Sequence, residues 1–117
     1  MPFRSKKIEK YLTKSELDSI NKLYDHLKNA WPEAKFKLFG SKATGKFDKE
    51  SDIDILILLP CNVSEKIRGQ IIDIVFDINL EFDTNISPLI LSKSEWETGF
   101  IPLLPIHYYI EKEGVTL

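Results

Sequence analysis

The run Ile53-Asp54-Ile55-Leu56-Ile57-Leu58-Leu59 constrains the fold of this chain more than any other stretch. Read as a strand, it places Ile53, Ile55, Ile57 and Leu59 on one side and Leu56 and Leu58 on the other, because successive side chains alternate. A strand apolar on both sides must be covered on both, by helices on each face or by helices on one and a further layer on the other. The charges gather at its start. Asp52 and Asp54 are two residues apart and so project from one side. Adjacent carboxylates repel, and an apolar strand gains nothing from them unless a cation or hydrogen-bond donors sit between them. Magnesium suits such a pair: it takes oxygen ligands, keeps several waters, and is commonly held by one or two carboxylates together with substrate phosphates.

The segment before this strand supplies a complementary group. Lys35 to Phe39 alternates charged and apolar residues and predicts a strand. It breaks at Gly40-Ser41, and a polar connection containing Gly45 leads back to Asp52. The whole reads as a hairpin. A glycine lets backbone approach a phosphate closely, a turn after a strand exposes N–H groups, and the serine hydroxyl adds a donor. Lys35, Lys37, Lys42 and Lys46 favour an anionic ligand, a triphosphate above all.

Gly40-Ser41 followed by Asp52-Ile53-Asp54 resembles the G-S…D-x-D signature of the DNA polymerase beta-like nucleotidyltransferase superfamily, and most closely its minimal, stand-alone (MNT-type) branch. GSKATG stands where many members read G-S-x-A-R-G, and SDIDILIL matches the motif strand. The resemblance implies a small mixed sheet flanked by helices in the order α-β-α-β-α-β-α. It implies Asp52 and Asp54 as catalytic metal ligands, with Gly40, Ser41 and Lys42 contacting the nucleotide. The implied cofactor is magnesium, with manganese as the alternative ion. The implied reaction moves a nucleotidyl group, adenylyl from ATP, to a hydroxyl acceptor. In the minimal branch such domains are often paired with a small helical HEPN-type protein as toxin and antitoxin, a homodimer being the other arrangement.

The chain departs from the family pattern twice. Thr44 replaces the usual arginine, removing a fixed charge and a fork of donors for which Lys42 or Lys46 could compensate. The third carboxylate of many members aligns with Ser87, which cannot bind metal as a carboxylate does, and the nearest acids are Glu81 and Asp83. A second reading follows, a nucleotide-binding or partner-binding module that keeps the fold and turns over weakly.

With 117 residues, 43% hydrophobic and 29% charged, the sequence fits one domain over residues 1–117, with 1–11 as a loosely packed arm. A net charge of −2 argues against a surface built to grip nucleic acid. The absence of any signal-like or membrane-length apolar run leads to the expectation of a cytoplasmic protein. The lone Cys61 excludes an intrachain disulfide and reads as a packing residue.

Elsewhere the cues are local. Thr13 and Glu16 form a capping box for a helix reaching about Ala30, with Leu17, Ile20, Leu23, Tyr24, Leu27 and Trp31 on one stripe and Pro32 stopping it. His26 lies off the stripe and should face solvent. Asn62 or Ser64 caps a second helix ending near Asp83. Ile86 to Leu91 predicts a third strand, which Pro88 sends to a sheet edge. Ser92 and Glu95 cap a short helix at Trp96 that Gly99 ends, and Ile106 to Glu113 predicts a last helix closed by Gly114, with Val115 to Leu117 extended. His107, Tyr108 and Tyr109 read as packing or interface residues.

Overall fold

The computed structural model describes residues 10–46 and 51–117; most of the expected N-terminal arm lies outside them. The elements are α1 (Lys14–Ala30), β1 (Lys35–Phe39), a one-turn helix α2 (Ser41–Thr44), β2 (Ile53–Leu59), α3 (Glu65–Phe82), β3 (Ile86–Ser92), α4 (Lys93–Glu97), a 3-10 turn (Ile101–Leu103), α5 (Pro105–Glu113) and β4 (Val115–Thr116). The strands form one mixed sheet in the order β3-β2-β1-β4. β1 runs antiparallel to β2 and β4, and β2 runs parallel to β3 through the α3 crossover.

Capping chemistry sets the helix boundaries. Thr13 accepts from the Glu16 N–H at 3.1 Å while Glu16 Oε1 accepts from the Thr13 N–H at 2.9 Å, so two N-terminal donors of α1 are satisfied reciprocally. Ser64, rather than Asn62, caps α3 by accepting from the Ile67 N–H at 3.2 Å. α3 ends at Asp83, held at φ 53°, a left-handed position that aspartate tolerates better than most residues. The Ser92–Glu95 box opens α4 as expected.

β3 lies at the sheet edge, where Pro88 belongs. The Ile53 N–H bonds to the Asn85 carbonyl, so along β3 the odd-numbered residues turn toward β2 and Ile86, Pro88 and Ile90 turn outward. Three of the outward groups are met by α3. Asn79 accepts from the Ile86 N–H at 2.8 Å and donates to its carbonyl at 3.1 Å, and Arg68 donates to the Ile90 carbonyl at 3.1 Å. Pro88 has no N–H to offer.

The sheet separates two cores. On one face Leu38, Phe36, Ile53, Ile55, Ile57 and Leu59 are buried beneath Ile20, Leu23 and Leu27 of α1 and Ile71, Val75 and Ile78 of α3. On the other, Leu56, Trp96 and Ile110 form a smaller cluster joined by half-buried Phe39, Leu58, Leu89 and Leu91. His26 faces solvent and His107 stacks on Trp96, with ring centroids 4.3 Å apart. Cys61 is a correction: it is exposed, because β2 stops at Leu59 and the chain turns outward at Pro60.

Candidate active site

The antiparallel register opposes Phe39 to Asp54, so the chain leaves β1 beside the carboxylate end of β2. Gly40 takes φ 75°, and a Cβ built there would collide with Asp54 Oδ2. Only glycine meets both conditions. The turn continues as α2, whose Ala43 N–H bonds to the Gly40 carbonyl at 3.1 Å and whose Gly45, at φ 85°, closes it onto the Ser41 carbonyl at 2.9 Å. The motif glycine, the serine after it and Asp54 therefore share one small region.

Asp54 lies within β2 and is half-buried; Asp52 precedes the strand and is exposed. Burial pushes the Asp54 carboxyl above its ordinary value, and the charge of Asp52 adds to the rise. The charge of Asp52 thus bears on Asp54. Asn85 Nδ2 donates to Asp52 Oδ1, and the Asn85 carbonyl accepts the Ile53 N–H at 2.9 Å. This residue reads in the sequence only as part of a turn. Nothing local marks its contact with a carboxylate 33 positions away.

Ser87 pairs with Asp54 in the parallel register, and register partners present their side chains on the same face. A hydroxyl therefore stands beside Asp54 on β3. Glu81 is tied to Lys22 of α1 at 2.5 Å, and Asp83 is exposed at the end of α3. Among the described residues no group of three or more His, Cys, Asp or Glu is placed to hold a metal, so neither acid completes a triad with Asp52 and Asp54.

The lysines do not gather as expected. Lys35 pairs with Leu58 at the far end of β1, roughly 16 Å from Gly40 at strand spacing. Lys37 reaches Glu111 at 3.5 Å. Lys42 is buried, and its ammonium lies 3.1 Å from Glu16 Oε2 in α1, so the structure gives it a partner within the fold where a nucleotide contact is expected. Lys46 is exposed.

Beside Gly40 a cavity of about 360 Å³ is lined by Phe39, Thr44, Ile106, Tyr109, Ile110 and Glu113. Tyr109 and Ile106 are 58% and 42% exposed and form the apolar side of that cavity. The residues present fit a divalent cation completed by substrate: two carboxylates close in sequence at the open end of β2, the charge of Asp52 bearing on Asp54.

A family model described as nucleotidyltransferase domain matches residues 20–113. A Methanocaldococcus jannaschii protein bearing the name "Putative protein adenylyltransferase" is 44% identical over 64 residues, 55% of this chain; the match spans 64% of that relative's length. Among solved structures, a mutant of the toxin–antitoxin MntA-HpeT has a TM-score of 0.56 at 19% identity, over 84% of this chain and 70% of the other. A toxin–antitoxin crystallised with AMP-PNP has a TM-score of 0.58 at 18% identity, over 89% of this chain and 72% of the other. The structures share the fold, and the match of the family model over most of the sequence, with Gly40-Ser41 and the Asp52/Asp54 pair in place, shows that the chain belongs to the nucleotidyltransferase domain family.

Proposed function

We propose that the chain transfers an adenylyl group from ATP to a hydroxyl acceptor at the Asp52/Asp54 site. The observation that carries this reading is the contact of Gly40 with Asp54, which sets a backbone turn against a carboxylate pair, the arrangement a metal-bound triphosphate requires. The names of the M. jannaschii relative and the AMP-PNP-bound neighbour support an adenosine nucleotide. Asp52 and Asp54 are the ligands for magnesium, or manganese in its place, which when bound supplies charge neutralisation at the α-phosphate. Asn85 fixes the carboxylate of Asp52, and packing against Gly40 fixes that of Asp54. The Ser41 hydroxyl and the turn's backbone N–H groups hold the outer phosphates as preorganised donors. Tyr109 and Ile106 give the nucleoside an apolar wall.

The toxin–antitoxin neighbours support a protein partner, and we propose a small helical HEPN-type protein. α3 leaves Ile72, Phe76 and Leu80 in one row, 48%, 61% and 68% exposed, the kind of apolar face a helical protein covers. No helix among the described residues is long and apolar enough to cross a membrane. We propose a cytoplasmic location.

Calorimetry with ATP in magnesium and in chelator tests the site: binding is expected only with the metal, and equal affinity in chelator returns the aspartates to a structural role. One observation favours weak transfer over efficient turnover, namely Ser87 beside Asp54. General-base assistance contributes ~10²- to 10⁴-fold, so Ser87→Asp should raise transfer of labelled adenylyl to the partner or to the protein itself. Fast wild-type transfer abolished by Asp83→Asn or Glu81→Gln would show that another acid does this work.

A further inference from the structure

The turn that carries Gly40 and Ser41 is too short to hold its own shape. A single helical turn fixes several dihedrals for few hydrogen bonds and is unstable alone, so the direction of its N–H groups must be imposed from outside. Lys42 provides such a hold. It sits in the middle of α2, its side chain is 5% exposed, and its ammonium lies 3.1 Å from Glu16 Oε2, itself 15% exposed. Glu16 is anchored in turn. Its other oxygen accepts from the Thr13 N–H at 2.9 Å and lies 3.5 Å from Lys42 Nζ. One carboxylate thus joins the N-terminus of α1 to the loop at the site.

We infer that Glu16 and Lys42 are positioning residues: their buried ion pair braces the Gly40–Thr44 turn so that the turn's donors meet the phosphates of a nucleotide. This rests on the reading of that turn as a phosphate site. It gives Lys42 a role other than ligand contact, and the two roles predict opposite signs. If Glu16 merely held a phosphate-binding lysine in reserve, removing its charge would free the ammonium and tighten MgATP binding. As a brace, the same change loosens the turn and weakens binding.

The substitutions separate the pair from the cap. Glu16→Gln removes the charge but still accepts from Thr13, since glutamine serves in a capping box as glutamate does. Lys42→Met keeps the apolar stem and removes the ammonium. Thr13→Ala breaks the cap and leaves the ion pair. MgATP affinity, measured by calorimetry well below each variant's melting temperature, should fall roughly 10-fold or more in Glu16→Gln and in Lys42→Met, the size typical when a group supporting a binding site is lost. It should be unchanged in Thr13→Ala despite a lower melting temperature, and largely restored in Lys42→Arg. Amide exchange at residues 41–45 should quicken in the first two variants alone, a readout that needs no ligand. Unchanged or tighter binding in Glu16→Gln and Lys42→Met overturns the brace. A wild type that binds no MgATP overturns the phosphate site along with it, which is a different and recognisable result.

Discussion

On one face of the sheet Ile53, Ile55, Ile57 and Leu59 lie fully buried beneath two long helices; on the other, the same strand gives only Leu56 equal burial, while Asp54 and Leu58 are half-buried. The first face is sealed by α1 and α3, of 17 and 18 residues; the second is covered by α4, the 3-10 turn and α5, of 5, 3 and 9 residues. A repelling carboxylate pair can exist at the start of β2 because its covering there is incomplete, so water, metal and substrate can reach it. The strand is thus a structural element toward one layer and a chemical one toward the other.

The largest test of that division is Ile57→Ala. Emptying a position sealed by both long helices should cost about 2–5 kcal/mol in urea-melt stability, with Leu56→Ala at or below the lower end because fewer buried neighbours surround it. A costlier Leu56→Ala would mean that the thin layer carries the fold. Next comes Gly40→Ala. The backbone at φ 75° and ψ −157°, a region essentially reserved for glycine, alone costs about 1–3 kcal/mol for alanine, and the collision with Asp54 should also remove metal-dependent ATP binding. Retained binding would break the link between turn and carboxylate.

Asp54→Asn should move stability the other way. The Asp54 pKa stands above its ordinary 3.8, first through burial and then through Asp52, so the folded chain holds that proton more tightly than the unfolded chain. Stability is then full below the ordinary value and is lost as pH rises through the raised folded value. The asparagine escapes that loss: in metal-free buffer it should melt slightly above wild type at neutral pH, the gap closing below pH 3.8, while binding no ATP. A large drop in melting temperature instead would make Asp54 structural. The smallest effect belongs to Phe76→Ser on the exposed row of α3, expected within about 0.5 kcal/mol of wild type. A larger loss would show that this row is part of the fold.

What the sequence makes legible is local or periodic. The Thr13–Glu16 and Ser92–Glu95 boxes, Pro88 at an edge and the two-faced β2 each follow from residues within one element, and each stands where expected. The hairpin reading is local enough to put Gly40-Ser41 and the aspartates at one end of the strands, and the register that opposes Phe39 to Asp54 then brings Gly40 against that carboxylate. Contacts across the chain were not readable. Asn85 on Asp52 joins two loop ends through the parallel crossover, and Lys42 on Glu16 joins a motif turn to a helix 26 residues earlier. A lysine beside a phosphate motif looks like a ligand contact until the fold supplies an acid near it. Composition could not separate Lys35 and Lys37 from the site either, since strand direction decides that.

The closure of β3 by Asn79, Arg68 and Pro88 bears on how this chain meets other proteins. With the N–H and carbonyl of Ile86 and the carbonyl of Ile90 already engaged and no donor at Pro88, that border is a poor template for another strand to join. Recognition on that side therefore falls more to side-chain shape and charge than to main-chain pairing. The same contacts work against misassembly: two copies meeting at β3 find few ladder groups to extend, which disfavours a continuous sheet there.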